Sequence, residues 1–283
     1  MTAASAPLLT WLYVPGDRPE VVRKALGAGS DVVIVDLEDA VAADRKAYAR
    51  DAVADLFSEP GHGLVHVRVN ALDGPFGEAD VQAVAGLPGV SGLRLPKITD
   101  PGEAGKVAAL VADVRGALPP VGLYPLLESA LGVENAFAIA TAHPAIAGIA
   151  LGEADLGADL GVRPEPGLDW CRSRLVVAAR AAGLPSPAQS VFTDVRDLDG
   201  LARSCERGRT LGMFGRAALH PRQLETIVRA YLPTAQEIER AAEVVAAAQA
   251  VPGALALPDG RFVDPAVVEG ARRILALAER SAA

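Results

Sequence analysis

The chain has 283 residues, 51% hydrophobic and 22% charged. That apolar fraction fills a sizeable core and excludes a disordered or collagen-like chain, while an aromatic content of only 4% suits helices on buried strands better than a β-sandwich. The 27 Lys plus Arg against 35 Asp plus Glu give a formal net charge of −8, which argues against nucleic acid or an anionic membrane as partner but leaves open a pocket ruled by a local cation.

In chain order, the N-terminus MTAASAPLLTWLYVPGDRPE has no basic region ahead of its short apolar stretch, so it does not read as a signal peptide, and a cytoplasmic location is expected. No apolar run reaches the ~18 residues of a membrane helix. Short β-rich runs predict strands at residues 12–14, 32–36, 64–69, 92–95, 122–127, 146–151, 188–193 and 211–218. Helical spacing of apolar residues predicts helices at 20–28, 45–56, 104–118, 134–141 and 169–182. Strands alternating with helices imply right-handed βαβ units and a parallel sheet. Eight such units with strands apolar on both faces imply an α/β fold, a closed (β/α)8 TIM barrel over residues 1–233. The competing topology, an open doubly wound sheet, lacks a dinucleotide fingerprint: GAGSDV around Gly27 has no third glycine and precedes a strand, so it reads as a helix C-cap. Beyond Pro233 the pattern becomes a long helix at 234–249, a connector at 251–258, a short segment at 261–263 and a last helix at 265–281, with Asp264 as N-cap and Pro265 at the first helical position. Residues 234–283 thus form a C-terminal helical extension, expected to act as a lid or an oligomerisation segment. Cys171 and Cys205 make no disulfide framework and are expected to be reduced thiols.

The positions of the charges are more informative than their number. Asp36, Glu38 and Asp39 follow VVIV, Arg68 ends LVHVR, Lys97 follows GLRLP, Glu128 follows GLYPLL, and Glu153 and Asp155 follow IAGIAL. Five successive strands deliver ionisable groups where they end, and in a parallel barrel those ends share the face where active sites form. Glu128 and Asp155 lie on adjacent strands with no His or Cys nearby. Such an all-oxygen pair suits Mg2+ or Mn2+ rather than zinc. Arg68 adds a planar cation that matches a carboxylate or oxyanion. A dication beside an arginine is a site for a chelating 2-oxo or 2-hydroxy acid. GxSxG, HExxH, CxxC and Walker A strings are absent. His220, ahead of Pro221, is expected to hydrogen-bond within the fold.

The strings LYVPGDRPEVVRKAL, DVVIVDLEDAV, HVRVN, GLRLPKI, YPLLESALGVENA, GIALGEADLGADLG, FTDVRDLDGL, GRAALHPRQLETI and GRFVDPAVV span nearly the whole chain. Together they resemble the citrate lyase β-subunit-like branch of the HpcH/HpaI aldolase family, whose relatives include malyl-CoA and citramalyl-CoA lyases. The resemblance implies a (β/α)8 barrel, Mg2+ dependence and a CoA thioester substrate. It implies Glu128 and Asp155 as metal ligands, Arg68 as a substrate contact, and Asp36, Glu38 and Asp39 as pocket-lining groups. Asp264 matches a C-terminal aspartate that some relatives insert into a neighbouring subunit's site, which implies a homotrimer or hexamer. Lys97 and Arg18 stand as candidate CoA contacts. One departure is visible. The family more often reads Gly-x-Glu-Asp-Leu where this chain has Gly152-Glu153-Ala154-Asp155-Leu156; the aspartate keeps its register, the other acid moves one place, and Glu153 therefore falls outside the metal site. The implied reaction is a retro-Claisen cleavage of a 3-hydroxyacyl-CoA into acetyl-CoA and a 2-oxo acid, with Asp264 as proton carrier. The alternatives are a class II aldolase acting on free 4-hydroxy-2-oxo acids and a β subunit of a citrate lyase complex acting on an acyl-carrier partner.

Overall fold

The computed structural model describes residues 7–250, 255–257 and 260–281. Two compact units divide the chain, Leu8–Ile227 and the residues from Val228 on.

The first unit holds one parallel sheet built from β1 (Thr10–Pro15), β2 (Val32–Asp36), β3 (Leu64–Arg68), β4 (Gly92–Leu95), β5 (Gly122–Leu127), β6 (Ala150–Leu151) and β7 (Arg216–Ala218). Their order is β6-β5-β4-β3-β2-β1-β7, and every pair is parallel. This is the neighbour order of a TIM-type barrel. Every residue of β2 is buried, as a parallel strand covered on both faces requires.

In place of the expected closed eight-strand barrel the structure holds a curled, TIM-like parallel sheet of seven strands, and three expected strands are cut short, the one at 146–151 to Ala150–Leu151. The run at 188–193 is reduced to a single parallel bridge, Gln189 to Arg216. On its other side, towards β6, the Ser190 hydroxyl donates to the Leu151 carbonyl at 2.5 Å. Pro185 and Pro187 lead into this segment, and proline supplies no N–H to a ladder. The strand expected at 211–218 contracts to β7, preceded by Gly212 and Gly215 at φ of 86° and 79°, a left-handed conformation that glycine adopts without a Cβ penalty.

Helices occupy the expected places at Pro19–Leu26, Lys46–Leu56, Pro101–Arg115 and Asp169–Ala181. The helix expected at 134–141 resolves into Ala130–Glu134 and Ala136–Ala140. Gly77–Val84, Glu153–Leu160 and Leu198–Thr210 are further helices. Gly27 closes the first helix as C-cap. His220 caps a short 3-10 turn, its Nδ1 accepting from the Arg222 amide at 3.1 Å. Cys171 and Cys205 are free and buried. No described helix is long and apolar enough to cross a membrane.

In the second unit, helices Ala235–Ala250 and Pro265–Ser281 pack together around Ala241, Val244, Val263, Val268 and Ala271. Between them lies an antiparallel pair, β8 (Leu255–Ala256) and β9 (Phe262–Val263). The connector expected at 251–258 falls partly outside the described residues. Asp264 Oδ1 accepts from the Val267 amide at 2.9 Å, the N-cap contact its position predicts.

Candidate active site

A cavity of about 760 Å³ opens in the first unit, with Tyr13, Arg68, Arg94, Glu128 and Asp155 among its lining. Its polar groups come from the carboxyl ends of the strands and the turns that follow, the face a parallel barrel offers for chemistry.

Arg68 ends β3 opposite Asp36 in the β2 register. The pair is bidentate: Nε donates to Asp36 Oδ1 at 2.7 Å and Nη2 to Oδ2 at 2.6 Å. Nη1 reaches Glu38 Oε2 at 2.9 Å and Asp39 Oδ2 at 3.2 Å. Asp36 is then saturated, since it also accepts from the Glu38 and Ala40 amides at 2.9 and 3.0 Å. Burial pulls the guanidinium pKa down more than any single partner raises it, but the Asp36 hydrogen bonds together with the nearby Asp36 and Glu38 charges make the net shift upward. Arg68 is thus a fixed cation whose partners hold its plane.

Lys97 links this cluster to the next strand. Its ammonium donates to Glu38 Oε1 at 2.8 Å, and its backbone N–H donates to Glu128 Oε2 at 3.1 Å. Lys97 is the one non-glycine residue at positive φ (58°) among the described residues, a strained conformation of the sort that collects at functional sites. Here it aims an amide at the carboxylate. Glu38 is pushed up by burial, against the pull of Arg68 and Lys97.

Glu128 follows β5 and is buried. Burial and the nearby Glu38 and Asp155 carboxylates push its pKa up to about 7, opposed by Arg68 and Lys97. Asp155 stands in the first turn of Glu153–Leu160, exposed on the same cavity. Gly152 separates the two by necessity: a Cβ there would lie 2.4 Å from Glu128 Oε1. Among the described residues no group of three or more His, Cys, Asp or Glu could hold a metal. A two-carboxylate donor set fits a hard ion that keeps water and substrate oxygens in its other positions, as Mg2+ does, and not a caged structural metal.

Glu153 also lines the cavity but is engaged in a buried ion pair. Arg172 donates to it at 2.9 and 2.6 Å, and also reaches Glu165 and Asp169, each at 3.1 Å. The one-place shift in the GEADL string therefore puts this acid in a salt-bridge network.

Asp36, Asp39, Arg68, Glu128 and Asp155 line the cavity, whereas Glu38, expected there, and Lys97 lie outside its lining and join the group through Arg68 and Glu128. Arg18 does not line the cavity; it is exposed, with Asp17 at 4.0 Å. Asp264 belongs to the second unit. Sequence reasoning missed the cavity-lining arginines Arg94, Arg172 and Arg216. Arg94 alone left a trace, as a charge inside the short apolar run GLRL. Arg172 and Arg216 meet partners far away in sequence, Glu153 and Ser204.

The sequence model described as HpcH/HpaI aldolase/citrate lyase matches residues 9–221. The chain is 37% identical to a (3S)-malyl-CoA thioesterase of Cereibacter sphaeroides, over 100% of this chain and 99% of that one. It is 30% identical to an L-malyl-CoA/beta-methylmalyl-CoA lyase of the same species, over 95% and 93%. Among solved structures, the protein CitE of Mycobacterium tuberculosis in complex with magnesium, acetoacetate and coenzyme A superposes with a TM-score of 0.82 at 31% identity, covering 97% of this chain and 99% of that one.

Proposed function

The chain belongs to the HpcH/HpaI aldolase/citrate lyase family, and from that premise we propose that it is a Mg2+-dependent CoA-ester lyase acting on a carboxylated 3-hydroxyacyl-CoA of the malyl-CoA or citramalyl-CoA kind. The observation that carries this reading is geometric. Glu128 and Asp155, delivered after β5 and β6, open with Arg68 on one cavity, and Gly152 leaves room for the Glu128 carboxyl.

In this reading Glu128 and Asp155 hold the ion, Mg2+ with Mn2+ as substitute, which when bound supplies positive charge to the substrate's hydroxyl and carboxylate oxygens. Arg68, fixed by Asp36, Glu38 and Asp39, stabilises the negative charge that develops on the hydroxyl oxygen. The hydroxyl passes its proton to solvent water at the open cavity as its carbon becomes the carbonyl of the 2-oxo acid. The adjacent carbon–carbon bond breaks, and its electron pair passes to the acetyl-CoA fragment as an enolate. Protonation of that enolate carbon completes the reaction, and Asp264 from a neighbouring subunit of a homotrimer or hexamer is the candidate donor. Lys97 and Arg18 are the candidate CoA contacts. The CitE structure, which holds magnesium and coenzyme A, supports both the metal and the thioester.

One observation favours a second outcome at the same site. The relative matched at 37% over its whole length is a thioesterase, and water attacking the thioester carbonyl would release free CoA and a hydroxy acid. The purified chain incubated with malyl-CoA and citramalyl-CoA, with and without Mg2+, separates the cases. Metal-dependent acetyl-CoA supports cleavage of the carbon–carbon bond. Free CoA without acetyl-CoA assigns hydrolysis. No turnover of either thioester overturns both.

A further inference from the structure

Arg94 sits next to last in β4, opposite Arg68 in the β3 register, and lines the cavity while only 7% exposed. Its surroundings differ from those of the other buried arginines. Arg68 and Arg172 rest on carboxylates. Arg115 is satisfied by four backbone carbonyl contacts of 2.7 to 3.1 Å. Arg216 donates to the Ser204 hydroxyl at 2.8 Å. Arg94 has a single hydrogen bond, from Nε to the neutral His66 Nδ1 at 3.3 Å, and its guanidinium lies 4.7 Å from the Tyr124 ring centroid. His66 stacks on Tyr124 at 4.5 Å and occupies space that only Gly92 leaves open, since a Cβ there would lie 2.5 Å from its ring. Burial and the adjacent Arg94 charge hold the His66 pKa well below its usual value, so the ring stays a neutral acceptor.

Among the described residues no Asp or Glu forms an ion pair with Arg94, and burial lowers its pKa. A buried cation without a counter-charge is costly. The donor arithmetic is equally one-sided. A guanidinium has five N–H groups. Arg68 has all three of its nitrogens engaged by Asp36, Glu38 and Asp39. Among the described residues Arg94 hydrogen-bonds through Nε alone, and because the residue lines the cavity, Nη1 and Nη2 remain for a ligand there. Two parallel N–H groups on one planar fork match a carboxylate.

We propose that Arg94 is the residue that binds the substrate's carboxylate, as a bidentate fork seated on His66 and Tyr124. This rests on the reading of the cavity as a site for 2-oxo acids, and it assigns recognition to a group other than Arg68 and the metal. Calorimetric binding of pyruvate to the Mg2+-loaded chain tests it, with pyruvamide as the neutral analogue. Arg94→Gln is expected to weaken pyruvate roughly 10- to 100-fold, the loss of one charge-assisted pair. Mg2+ affinity and the weaker pyruvamide binding are expected to stay unchanged, and Arg94→Lys to recover part of the loss. An Arg94→Gln chain that binds pyruvate as the parent does, or that loses pyruvate and pyruvamide together, overturns the assignment alone. A parent chain that binds Mg2+ but no pyruvate overturns the assignment and the oxo-acid reading with it.

Discussion

Replacing Glu128 by Gln sets the stability of the metal-free protein against its function. The carboxyl is buried, and burial together with Glu38 and Asp155 raises its pKa from 4.5 to about 7. A folded-state pKa above the unfolded one means that ionising the group destabilises the fold. The native state is spared this cost below the unfolded pKa, and the cost grows as pH rises through the interval to about 7. A shift of roughly 2.5 units at 1.36 kcal/mol per unit is about 3 kcal/mol above that window, and under about 1 kcal/mol near pH 5. Gln keeps an oxygen that can accept from the Lys97 amide and carries no charge. Thermal unfolding in EDTA is the assay. Glu128→Gln is expected to raise Tm by about 6–12 °C near pH 8.5 and by about 2–4 °C near pH 5, at ~2–4 °C per kcal/mol for a unit of this size. Added Mg2+ stabilises the parent chain at the higher pH and leaves the variant unchanged. An equal Tm change at both pH values, or a less stable variant near pH 8.5, refutes the reasoning.

Gly152→Ala places a methyl group 2.4 Å from Glu128 Oε1, so it should weaken Mg2+ binding while leaving the far-ultraviolet dichroism intact; unchanged metal affinity would show that Glu128 has room to move. Asp36→Asn removes the charge that holds Arg68 on two hydrogen bonds of 2.7 and 2.6 Å. It should cost about 2–3 kcal/mol in denaturant unfolding and lower turnover as Arg68 loses its fixed plane; parent-like turnover would argue that Arg68 needs no such seat. Mixed oligomers of inactive Arg68→Ala and inactive Asp264→Ala chains should regain part of the activity, because one intact site forms from two defective subunits. Confirmed mixed oligomers without activity would remove Asp264 from the neighbouring site.

The frame was legible where burial is symmetrical. Runs such as VVIV and GLYPLL, apolar on both faces, sit between helices and read as interior parallel strands. The run at 188–193, AQSVFT, is half polar and forms one bridge; it lies between β6 and β7, which have only two and three residues to offer. The acids and Arg68 were legible because each stands directly after a strand, where parallel topology fixes its face. What each touches was not. That Glu153 pairs with Arg172, that Lys97 takes a positive φ to point its amide at Glu128, and that Arg94 stands on two neutral rings are contacts across the chain between residues 19 to 31 positions apart. No local pattern carries them.

The claim on which the rest depends is that Glu128 and Asp155 hold one dication between them. Isothermal titration of Mg2+ into the metal-free parent chain, Glu128→Ala and Asp155→Ala measures it directly. One site per chain in the parent is expected, weakened in each variant by more than the ~10–100-fold that losing an outer partner of a metal site costs. Parent-like Mg2+ binding in either alanine variant would contradict it.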